Sequence, residues 1–60
     1  MKANEVRKTL KNLGYNEIVY DDIKYYLRAN NMKLNEITNI SYHDDFHCLL
    51  EVNNEIIGVI

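Results

Sequence analysis

Sixty residues with a formal net charge of −2, 27% charged side chains, one cysteine and no proline set tight bounds. A chain this short makes one domain and buries only about 60% of its unfolded surface, so a partner subunit is an expected stabiliser. The lone Cys48 excludes an intrachain disulfide, and no apolar run reaches the roughly 18 residues that a membrane-spanning helix needs.

The opening MKANEVRKTL lacks the apolar core of a signal peptide, and a single free thiol suits a reducing compartment. The expected location is cytoplasmic. Charge is divided along the chain. All seven basic residues (Lys2, Arg7, Lys8, Lys11, Lys24, Arg28 and Lys33) lie in the first 33 positions, opposed there by Glu5, Glu17, Asp21 and Asp22, which leaves +3. From Leu34 onward five carboxylates stand without a cation, giving −5. Such a division points to binding, either of an anion by the basic part or of a basic partner by the acidic part.

In chain order, Asn4 is a candidate N-cap with Glu5 in the first turn, and Val6, Leu10 and Leu13 recur at helical spacing. Gly14 then terminates a first helix over about residues 4–13. The stretch YNEIVY can be read in two ways. Asn16 caps a helix that runs on to Asn30, or Ile18 to Tyr20 is extended and Asp21 caps a later start. A second helix is therefore expected from 17 or 21 to about 30, with Ile23, Tyr26 and Leu27 on its inner face and Asn30-Asn31 as its stop.

From Ile37 the residues change to Ile, Val, Phe, Tyr, Leu and Thr, types that fit a pleated surface. Two pairs that tolerate left-handed backbone, Asp44-Asp45 and Asn53-Asn54, predict two-residue hairpin loops and three strands over about 37–43, 46–53 and 55–60. The fold class is α+β, two helices packed on a three-stranded antiparallel meander (ααβββ), as a single domain over 1–60. In the register these loops impose, Ile37, Phe46, Cys48, Leu50, Val52, Ile57 and Val59 face the helices. Thr38, Ile40, Tyr42, His47, Leu49, Glu51, Ile56 and Ile60 form the other face. A one-residue slip would exchange the two sets.

Chemistry-bearing residues gather in one place. His43, Asp44, Asp45, His47 and Cys48 include metal-type ligands, with His43, Asp45 and His47 the candidates, but alternation sends His43 and His47 to opposite faces. On that argument neither a metal nor another cofactor is expected. A metal-dependent nuclease or hydrolase at this hairpin is a minor alternative, as is a Cys48 nucleophile with a histidine base. There is no glycine-rich phosphate loop, H-E-x-x-H or C-x-x-C.

Five tyrosines, Tyr15, Tyr20, Tyr25, Tyr26 and Tyr42, are many for this length, and tyrosine suits interfaces because it joins an apolar body to a polar tip. The leading expectation is a small non-enzymatic protein-binding module or inhibitor that occupies a partner's surface and self-associates into a homo-oligomer. Its contact residues are Tyr25, Arg28, Ile40, Tyr42, Leu49, Ile56 and Ile60. The alternative is a winged-helix-like nucleic-acid binder using Arg7, Lys8, Lys11, Lys24 and Arg28, with the second helix as reader and Tyr42 to Phe46 as the wing tip. Aspartates at that tip oppose it, since they repel phosphates. Brevity and richness in Asn, Lys, Ile, Asp and Tyr give the chain a composition that resembles small accessory proteins of phages and plasmids, some of which inhibit defence proteins. No motif stands behind that likeness.

Overall fold

The structure, a computed structural model, describes residues 1–60. Helix α1 spans Ala3–Asn12 and α2 spans Glu17–Ala29; a single 3-10 turn, Leu34–Glu36, leads into strands β1 (Asn39–Asp44), β2 (His47–Val52) and β3 (Glu55–Val59). The strands form one antiparallel sheet in the order β1-β2-β3. This is the expected ααβββ arrangement.

The helix ends explain where the helices lie. Lys2, not Asn4, occupies the N-cap position of α1, and its backbone N–H donates to the Glu5 carboxylate. Asn16 caps α2, its side chain accepting from the Ile18 N–H at 3.0 Å. YNEIVY therefore belongs to the helix from Glu17, which decides between the two starts. Both helices stop in the same way. The Tyr15 N–H bonds the Leu10 carbonyl across Gly14 (φ 94°), and the Met32 N–H bonds the Leu27 carbonyl across Asn31 (φ 55°). These are Schellman closures, which need a left-handed residue just past the helix.

The helices cover one face of the sheet. Val6 and Leu10 from α1, Val19, Tyr20, Ile23 and Leu27 from α2, and Tyr15, Ile37, Ile40, Cys48 and Leu50 make the buried core.

The register departs from expectation at two bulges. The first turn lies at Asp45-Phe46, one residue later than Asp44-Asp45, and the ladder slips between Tyr42 and Asp44, so that Ile40 opposes Leu50 and Tyr42 opposes Cys48. The cause is local. The Asp44 carboxylate accepts from the Phe46 N–H at 2.8 Å, a side-chain closure that needs no positive φ. An unpaired His43 absorbs the extra residue, as bulges do. Ile40 thereby moves into the core, Tyr42 joins the helix side, where its ring stacks on Tyr15, and Phe46 swings out to 81% exposure.

The second turn is as expected, with Asn53 and Asn54 both at positive φ and Val52 opposite Glu55. Beyond it the ladder slips again. Gly58 opposes Leu50 and Val59 opposes Leu49, while Ile60 exchanges both backbone bonds with Cys48. Val59 is thus outside and Ile60 packs against the core, the reverse of the expected register.

Candidate binding surfaces

Two tyrosine hydroxyls tie the helical layer to the sheet. The single Tyr15 hydroxyl proton is shared between the carbonyls of Asp44 and His47, and its oxygen accepts from the His43 N–H. Tyr26 donates to the Ile57 carbonyl at 2.8 Å, satisfying one acceptor on the edge of β3. Gly58 lets it approach, since a Cβ there would lie 2.7 Å from the Tyr26 hydroxyl. Part of the tyrosine excess therefore serves the fold. Sequence alone could not assign these roles, because each joins residues about thirty positions apart.

The sheet face away from the helices is uncovered. Ile56 (57% exposed) and Val59 (53%) lie there beside half-buried Leu49. Glu51 sits among them, its carboxylate accepting from the Asn39 amide at 3.0 Å and the Ser41 hydroxyl at 3.1 Å. No lysine or arginine occurs anywhere in the sheet. Of the seven expected contact residues, Leu49 and Ile56 share this face; Tyr25 and Arg28 are exposed on α2, on the other layer. Tyr42 is half exposed at the sheet end, whereas Ile40 and Ile60 turn inward. The expected patch is accordingly divided, and Val59, assigned inward by the uninterrupted alternation, belongs to it. The bulge that exposes Val59 leaves no mark in the sequence beyond Gly58, a residue type that within a strand signals bulges or close approach.

The turn carrying Phe46 is the second exposed feature. Phe46 and Ile18 (65% exposed) line one cleft with Asp22 and Asp45. The turn itself is closely bonded. Asp44 accepts from the Phe46 N–H and pairs with the His47 ring at 2.8 Å, and Asp45 accepts from the Tyr42 hydroxyl at 2.6 Å. Donation from the Phe46 N–H, then His47, holds the Asp44 carboxyl below its ordinary value. The bond to Asp45 pushes the Tyr42 phenol up to about 12.

These bonds occupy several side chains of the cluster at the hairpin. Asp44 and Asp45 are occupied by different partners, and the His43 and His47 rings stand 6.5 Å apart, edge to face. No three His, Cys, Asp or Glu side chains converge in the way a metal site would require. Cys48 is fully buried, and burial pushes its thiol up to about 11, so it stays protonated near neutrality. A thiol in that state is a poor nucleophile.

The basic residues come together across the two helices. The Arg7 guanidinium lies 4.2 Å from the Tyr20 ring centroid, with the Lys24 ammonium 5.5 Å from the same ring. Lys8 and Lys11 line a cleft with Arg7 and Tyr20, and Lys24 and Arg28 line a separate depression. Four of the five cations expected for nucleic acid, Arg7, Lys8, Lys11 and Lys24, thus gather around Tyr20, while Arg28 lies apart with Lys24. Tyr20 itself is buried beneath them, and Arg7 is engaged by Glu17 at 2.8 Å.

No protein-family model, curated protein or solved structure matches this chain.

Proposed function

We propose that this is a small non-enzymatic protein-binding module that acts by occupying a surface of another protein. The observation that carries the reading is the helix-free sheet face, where Leu49, Ile56 and Val59 remain in contact with water. Exposed apolar side chains grouped within a polar rim mark interaction sites more often than isolated ones do. The charged group on this face is Glu51, with no cation on the sheet, which favours a basic partner.

Size refines the proposal. Three strands of about six residues present a face of roughly 14 by 20 Å, given about 4.8 Å between strands and about 3.4 Å per residue. A stable complex buries about 800 Å² per partner. The partner must therefore reach past the face onto an edge or a turn. Self-association through the face alone would be weak, and Glu51 on each copy, together with the net charge of −2, opposes it; any such dimer should tighten as salt screens these charges. Inhibition of a host or defence protein, in the manner of phage and mobile-element accessory proteins, is the mode of action this composition suggests.

Affinity capture from the native host with the parent chain and with Val59→Lys tests the reading. Val59 is exposed, so the variant should melt with the parent. A protein retained by the parent and lost with the variant is expected; identical capture by both would overturn the assignment of this face.

The cations gathered around Tyr20 favour a second reading, binding of nucleic-acid phosphates by Arg7, Lys8, Lys11 and Lys24, with Arg28 beyond them beside Lys24. It requires affinity that falls steeply with salt. Absence of binding to DNA and RNA at about 50 mM salt, a permissive condition, would remove it.

A further inference from the structure

The outer sheet face is not the sole place where large apolar side chains stand in water. Ile18, at the start of α2, and Phe46, on the turn between β1 and β2, both line a cleft of about 360 Å³, together with buried Tyr15 and Val19. Two carboxylates, Asp22 and Asp45, also line it, and no lysine or arginine does.

Three observations say what such a cleft takes. First, Phe46 does nothing for the core. It is the most exposed of the large hydrophobics, on a turn whose geometry is set by Asp44, so another residue type would fold as well there. Second, its backbone is held in place. The Asp44 carboxylate accepts from the Phe46 N–H, and the Tyr15 hydroxyl bonds the carbonyls on both sides of the turn, at Asp44 and His47. An aromatic anchor on a fixed backbone loses little freedom on binding, which is the character of interface hot spots. Third, the cleft carries one sign of charge, and Asp44 beside it adds to that sign. A basic occupant is attracted and an acidic one repelled.

We propose that this cleft docks a segment of another protein carrying an aliphatic or aromatic side chain flanked by lysine or arginine. The proposal rests on the reading of the chain as a protein-binding module, and it uses a surface distinct from the outer sheet face. Ile18 and Phe46 grip the apolar side chain, and Asp22 and Asp45 pair with the flanking cations.

The probe is a short fluorescent peptide built of leucine and lysine, compared with one of leucine and glutamate. Binding is read by anisotropy and located by amide chemical shifts in labelled protein. Saturable binding of the lysine peptide is expected, with shifts at Ile18, Asp22 and Phe46, and none with the glutamate peptide. Phe46→Ala should weaken it by roughly tenfold or more, while the double variant Asp22→Asn, Asp45→Asn should weaken it and flatten its salt dependence. Both variants are checked for an unchanged melting temperature. Shifts confined to Ile56 and Val59, undiminished binding by Phe46→Ala, or no binding would each overturn the proposal. Val59→Lys should leave the peptide bound, so the cleft and the sheet face can fail separately.

Discussion

The two hairpin turns are built on different principles. At Asn53-Asn54 both residues hold positive φ (51° and 68°), so the backbone itself makes the reversal, and the Thr38 hydroxyl accepts from the Asn53 N–H. At Asp45-Phe46 no residue has positive φ; side chains make the reversal, with Asp44 bonding the Phe46 N–H and Tyr15 bonding both flanking carbonyls. The first device lies in the backbone of the two turn residues, with the Thr38 hydroxyl as a contact from outside the turn. The second borrows a tyrosine from the helical side, and it frees the turn residue from any conformational duty. That freedom is what allows a phenylalanine to stand at the tip.

The largest effect should follow from taking the borrowed tyrosine away. Tyr15→Phe keeps the ring in the core and its stack on Tyr42 but strips the donor from two carbonyls and the acceptor from His43 N–H. Leaving part-buried polar groups unpaired costs about 1–3 kcal/mol. A fall in melting temperature, with hydrogen exchange accelerated at residues 43–47 and unchanged at 52–55, is the expected result. Uniform acceleration across the sheet would mean that the first turn does not depend on this hydroxyl.

The matching change at the second turn should be smaller. Asn53→Ala places a β-carbon residue at φ 51° without asparagine's tolerance for that region. The left-handed conformation costs most residues about 1–2 kcal/mol, part of which asparagine already bears. Denaturant unfolding should register a loss of about 1 kcal/mol or less. Asn54→Gly, at φ 68°, should act in the opposite direction, because glycine carries no penalty there.

This contrast also explains what could be read from sequence. Asn53-Asn54 announces itself because its mechanism lies in two adjacent residue types, and the helices announce themselves through periodicity, although the cap of α1 is Lys2 rather than Asn4 and Asn16 competes with Asp21 as the start of α2. Asp44-Asp45 misleads because aspartate serves a turn in two ways, by tolerating left-handed angles and by bonding a backbone N–H two residues on. The first use places the turn one residue early, and period-two alternation carries the displacement to Ile40, Tyr42 and Phe46. The slip at Ile57, where the ladder shifts before Gly58, does the same to Val59 and Ile60. Nearly the whole topology was therefore legible, while the composition of the exposed face depended on two bulges with no dependable local signature. The grouping of Ile18 with Phe46 and of Arg7 with Lys24 needed the packing of distant elements.

Acid should separate the turns further, since one depends on a charge and the other does not. Asp44 titrates below its ordinary 3.8 in the folded chain, so its contribution is present above that value and is lost as pH falls through the lower folded value. Amides 43–47 should lose protection in strong acid before those at 52–55. The alkaline side has the reverse sign. Tyr42 and Cys48 are held protonated, up to about 12 and about 11 against ordinary values of 10.0 and 9.0. Their unfolded forms ionise first, so stability should decline from about pH 9 upward. A flat melting temperature between pH 8 and 11 would contradict the burial of Cys48.

The smallest stability effect belongs to the residue that makes the turns most unlike each other. Phe46→Asn removes a ring that is 81% exposed and whose backbone bond to Asp44 requires only an N–H. Surface substitutions of this kind stay within about 0.5 kcal/mol. An unchanged melt together with lost peptide binding separates a side chain kept for folding from one kept for contact. If the same substitution unfolds the hairpin, Phe46 is a structural element after all, and the two turns differ only in how they reverse the chain.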